Sequence, residues 1–125
     1  MLSKSFIVLS MLATVALTGS QALADNGEKL FKKCTACHSA TAGKHKMGPS
    51  LAGVFGRKAG TAEGYKKYKG LKGADWIWDT ASLDEFLTNP KKFTKKKTGK
   101  RASMAFKLKK KDDREHIIEY LKTLK

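Results

Sequence analysis

The residues best equipped for chemistry stand together as Cys34-Thr35-Ala36-Cys37-His38. Two thiols three positions apart fall on adjoining faces of one helical turn. There they can add to the two vinyl groups of a single haem and hold it by thioether bonds. The histidine that follows is carried under the porphyrin, where its imidazole can bind iron. Two other chemistries use paired cysteines. A thiol–disulfide oxidoreductase sets such a pair in a βαβ context, and no such pattern is present. A zinc site needs two more ligands, and no second cysteine pair exists.

Iron held by one histidine needs a sixth ligand to be a good electron carrier. Methionine sulfur favours the ferrous state and raises the potential. Met1 and Met11 belong to a removable leader, which leaves Met47 and Met104. Met47 follows His38 closely, and Gly48-Pro49 turns the chain at once, so its segment wraps the histidine side of the ring. Met104 comes after a long loop and can approach from the opposite face, which makes it the favoured ligand. Ordinary core packing is its competing role. His45 shares the geometric objection to Met47. His116 falls inside the last predicted helix, where a surface or packing role suits it better.

These side chains need elements to position them. Asp25 or Asn26 can cap a helix running through about Cys37, with Glu28 adding favourable charge in its first turn. Gly27, Leu30, Phe31 and Cys34 share one face of it. From 39 to 73 the chain is rich in Gly, Lys and Thr and reads as loops, and Trp76-Ile77-Trp78 is an apolar knot. Asp79 or Ser82 starts a second helix, with Ser82 and Glu85 at capping-box spacing. Leu83, Phe86 and Leu87 form its stripe, and Asn89-Pro90 stops it. A last helix begins near Asp112, again with a capping-box spacing to Glu115. Ile117, Leu121 and Leu124 line one face of it, beside Ile118 and Tyr120. The class is all-α, with long loops around a cofactor. The first and last helices cross, and Gly27 permits a close approach.

Lys4, the apolar run from Phe6 to Thr18 and the small-x-small Ala22-Leu23-Ala24 read as a secretory signal peptide, 1–24, cleaved after Ala24. A retained anchor is the competing reading, but a span needs about 20 apolar residues. One domain, 25–125, remains, and no later stretch could serve as a permanent membrane anchor. The chain has 26 Lys+Arg against 11 Asp+Glu, a net charge of +15, and only Lys4 lies in the leader. Such a surface favours acidic partners: protein, anionic lipid or nucleic acid. Export, and the lack of a nucleic-acid-binding motif, argue against nucleic acid.

Five stretches carry a resemblance: Phe31 to His38, Gly48-Pro49-Ser50-Leu51, Gly53 to Gly60, Leu83 to Phe93, and Met104-Ala105-Phe106. In this order they resemble class I c-type cytochromes, and most closely the large variants of bacterial cytochrome c2. The resemblance implies the small cytochrome c fold and one covalent haem c with its iron. It implies thioether bonds at Cys34 and Cys37, and His38 and Met104 as axial ligands. The Pro49 carbonyl would accept the other ring N–H of His38. Arg57, Tyr68 and Trp78 would hold a buried haem propionate, with plain core packing the competing role for the last two.

The implied function is a periplasmic single-electron carrier rather than an enzyme, acting as a monomer. It would work between a cytochrome bc complex and a photosynthetic reaction centre or terminal oxidase. An open-site haem peroxidase or gas sensor is the alternative. The chain also departs from the pattern. The path from Pro90 to Met104 is long and lysine-rich and lacks the usual Pro-Gly-Thr-Lys-Met. Phe86 stands where many relatives have a tyrosine near the methionine sulfur. An extra residue around Lys66-Lys67 loosens the alignment of Tyr65 and Tyr68. Residues 91 to 111 hold eleven Lys or Arg and no acid. With Lys29, Lys32 and Lys33 they form a basic ring that would steer the protein onto acidic docking surfaces of its redox partners.

Overall fold

A computed structural model of the protein describes residues 18–125. The expected leader lies outside the described residues as far as residue 17. Its last residues open the first helix, α1, Thr18–Phe31. This helix starts and ends earlier than the spacing suggests. Asp25 does not cap it, because Gln21-Ala22-Leu23-Ala24 are helix formers and carry the helix through that point. The Asp25 carboxylate instead accepts from the Gln21 side chain at 2.9 Å. Beyond Phe31 the chain tightens into turns, with Cys34 N–H donating to Phe31 O at 2.8 Å and Cys37 N–H to Cys34 O at 3.1 Å.

The second helix, α2, is Thr80–Thr88, and Asp79 caps it. Ser82 N–H donates to Asp79 Oδ1 at 2.8 Å, and Asp79 N–H donates to Ser82 Oγ at 2.9 Å. Ser82 therefore closes the capping box rather than opening one with Glu85. Asn89-Pro90 ends this helix as expected, but it also starts another, α3, Pro90–Thr98, where the sequence suggested a loop. Extended Asn89 accepts from Lys92 N–H at 3.1 Å. Pro90 takes the first helical position, where its missing N–H costs nothing. Gly99, at φ 71°, ends α3 in the left-handed region that favours glycine. The last helix, α4, is Lys111–Thr123. It starts one residue before Asp112, with Lys110 at its cap and no side-chain cap bond. The Asp112–Glu115 box therefore does not form, and Asp112 and Asp113 act on the positive end of the helix dipole instead.

The helices α1 and α4 cross in close contact. A Cβ on Gly27 would sit 2.0 Å from His116 O and 2.7 Å from Tyr120 Cβ, so only glycine fits there. Phe31 meets Tyr120 beside it, ring centres 5.2 Å apart. From α4, Ile117, Ile118 and Leu121 are buried; from α2, Leu83, Phe86 and Leu87. Arg114 is buried as well. Its Nε donates to Asp84 Oδ1 at 2.6 Å, and its Nη1 donates to the carbonyls of Leu108 and Lys109. That one side chain ties α4 to α2 and to the loop that follows Met104.

Among the described residues there is no strand, only an isolated antiparallel bridge between Lys58 and Ile77. It lashes the Arg57 loop to the tryptophan segment, with Trp78 N–H donating to Arg57 O at 2.9 Å. The Trp76-Ile77-Trp78 knot is divided: Trp78 is buried among Phe86 and Phe93, while Ile77 is half exposed. The architecture is all-α, with loops wrapped around a central cavity.

Candidate haem-binding site

The cavity has a volume of about 480 Å³. Cys34, Cys37, His38, Pro49, Arg57, Tyr68, Trp78 and Met104 all line it. The cysteines come from the turns that close α1, and neither is in a disulfide. Burial pushes the Cys34 thiol up; the Cys37 thiol adds to this, and Lys33 opposes it.

His38 follows directly, with its backbone N–H on Cys34 O at 2.9 Å. Its Nδ1 lies 2.7 Å from Pro49 O. A carbonyl only accepts, so Nδ1 carries the proton and Nε2 keeps its lone pair. Burial holds this imidazole below its ordinary pKa, with the Pro49 bond opposing, so the neutral, metal-binding form prevails. Gly48 makes room for the ring: a Cβ there would lie 2.4 Å from His38 Cε1.

The rival ligands fall differently. Both ring nitrogens of His45 are used within the protein. Nδ1 accepts from Ser50 N–H at 3.0 Å, so Nε2 carries the proton and donates to Glu63 O at 2.7 Å. His116 does not line the cavity, and its backbone packs on Gly27. Met47 lines the cavity but is 74% exposed, in the segment that also holds His38. Met104 is partly buried and packs against the core.

On the other wall, Arg57 Nη1 donates to Ala52 O at 3.1 Å, while its Nε is buried without a partner. A buried guanidinium N–H of this kind suits a carboxylate. Tyr68 Oη accepts from Ala62 N–H at 3.0 Å and still has a proton to donate. Lys33, Lys67 and Lys69 add positive charge around the cavity. Two thiols, a neutral imidazole, a thioether, a partnerless guanidinium N–H and a largely apolar wall fit a haem with acidic edge groups. Sequence reasoning missed Tyr65, which lines the cavity and donates to Met47 O, and Arg114, whose partners lie far apart along the chain.

These features define a protein built around a covalently attached haem. The cytochrome c family model matches residues 24–125. The chain is 38% identical to a cytochrome c2 of Rhodospirillum rubrum over 99% of this chain and all of that one. Among solved structures it is similar to cytochrome c2 of Rhodospirillum centenum. There the TM-score is 0.74 and the identity 31%, over 81% of this chain and 97% of that one. The ferricytochrome c2 of Rhodopseudomonas palustris gives a TM-score of 0.72 at 38% identity, over 82% of this chain and 98% of that one.

The chain belongs to the cytochrome c family. It is an electron-transfer protein with the cytochrome c fold, not an enzyme, and its cofactor is one covalent haem c with iron.

Proposed function

We propose that the protein is an exported single-electron carrier in which His38 and Met104 bind the haem iron and Cys34 and Cys37 form the thioether bonds. The observation that carries this reading is the gathering of all four side chains around one cavity. When bound, the haem supplies a reversible one-electron couple. The chain's residues do the rest. Pro49 O fixes the imidazole of His38 and raises its donor strength. Arg57, Tyr68 and Trp78 would hold a propionate. Met104, on the same cavity, would supply a second protein ligand to the iron, so no substrate would need to reach the metal.

In this reading residues 1–24 are removed, the mature monomer works in the periplasm, and no helix among the described residues is long and apolar enough to cross a membrane. Its partners are acidic docking surfaces on a cytochrome bc complex and on a photosynthetic reaction centre or terminal oxidase. The basic surface supports that choice.

Visible spectra of the oxidised and reduced protein, with carbon monoxide added to the reduced form, test the ligand set. The wild type should show a methionine–ferric band and no carbon monoxide shift. Met104→Ala should lose the band and bind carbon monoxide. A wild type that binds carbon monoxide readily would overturn the closed carrier.

A further inference from the structure

We infer that Tyr65 is a positioning residue for His38, holding the histidine side of the haem cavity through the backbone carbonyl of Met47. Tyr65 Oη donates to Met47 O at 2.5 Å, joining stretches 18 residues apart in sequence. The two residues after Met47 are the ones that fix His38. Gly48 N–H donates to Cys37 O at 2.7 Å, and Pro49 O accepts from His38 Nδ1 at 2.7 Å. The Tyr65 bond therefore anchors the chain one residue before the segment that holds the ligand.

The segment has a second tie, from the His45 ring to Glu63 O. Only the Tyr65 tie belongs to the cavity wall, since Tyr65, Met47, Gly48 and Pro49 all line it whereas His45 does not. The ring is held in place by its own neighbours. It meets Tyr68 edge-on with centres 4.7 Å apart and lies 5.5 Å from the His45 ring. Burial and the neighbouring Tyr68 push the Tyr65 phenol up, so it stays a donor through the ordinary pH range.

Without this bond the Met47 carbonyl turns to water, and residues 47–49 open more often. Each opening exposes the Gly48 amide and takes the acceptor away from the His38 ring proton. A ring that loses this acceptor donates less strongly to a metal.

The inference rests on His38 being the iron ligand, and the test separates the two. Hydrogen exchange of the Gly48 amide and of the His38 Nδ1–H is measured in the haem-loaded protein, together with the midpoint potential. Tyr65→Phe should speed both exchanges by about fivefold, the factor for one ordinary hydrogen bond, and should move the potential. Ile118→Val, in the α1–α4 core, provides a comparison that lowers global stability. Because both protons exchange by local opening, it should leave both exchange rates and the potential unchanged while global unfolding becomes easier. Wild-type exchange at both protons and an unchanged potential in Tyr65→Phe would overturn the proposal. If His38 were not the ligand, the wild-type spectrum would already say so, whatever Gly48 does.

Discussion

The smallest features of the site are its least replaceable ones. Gly48 has no side chain to crowd the His38 ring, and Pro49 O takes the Nδ1 proton, which leaves Nε2 its lone pair. Gly48→Ala would put a methyl 2.4 Å from His38 Cε1 and 2.7 Å from Nδ1, so the ring or the loop must move. We expect a loss of about 1–3 kcal/mol in denaturant unfolding, the range for overpacking, together with a disturbed ligand spectrum. A variant with wild-type stability and spectrum would mean that the loop yields freely. At this scale the sequence was informative where motifs are local. Cys34, Cys37 and His38 are readable from five consecutive letters. His45 was not readable, because its role comes from a carbonyl 18 residues away. Arg114 was hidden for the same reason, since its carboxylate partner is 30 residues distant.

At the scale of elements, α1, α2 and α4 were legible from their apolar spacing, but their ends were not. Periodicity says which residues face inward; caps depend on which of several polar residues takes an extended backbone. Asp79 and Ser82 were both candidates, and the structure makes one the cap and the other its N3 partner. The helix α3 was missed because its lysines mask a short apolar stripe. Only Phe93, Thr94 and Pro90 are buried, and Asn89-Pro90 signals a start as well as a stop.

The Asp79 cap carries a pH dependence. Ser82, through its backbone N–H and hydroxyl, holds the Asp79 carboxyl below its ordinary value. A depressed carboxyl stabilises the fold fully above its unfolded pKa, and that contribution is lost as pH falls through the folded pKa. Asp79→Asn keeps a good cap without a titrating group. The acid limb of its stability curve should be shallower than that of the wild type in denaturant titrations below the ordinary aspartate range. Superimposable acid limbs would show that the cap carboxylate plays no part in acid unfolding.

Across the whole molecule, the sequence gives charge and composition directly, while the structure says where the charge lies. Lys95, Lys96 and Lys97 are exposed on α3, which together with the chain up to Leu108 leads past Met104 at the cavity. The Lys96–Glu85 pair on this face is exposed on both sides and contributes little to stability. Lys95 and Lys97 have no such carboxylate partner among the described residues, so their charge is not offset there. A net charge of +15 should draw anions toward the cavity and repel cations.

Small redox reagents of opposite charge read this field without a protein partner. Oxidation of the reduced protein by ferricyanide should slow as salt rises, whereas oxidation by a cationic cobalt–phenanthroline complex should speed up, each following screening over a Debye length of about 10 Å at 0.1 M. Reversing Lys95, Lys96 and Lys97 to glutamate should lower the ferricyanide rate about tenfold at low salt, with the gap closing at high salt. If the triple variant matched the wild type at low salt, the charge on α3 would not govern approach to the haem. The basic surface would then be no more than a solvated one.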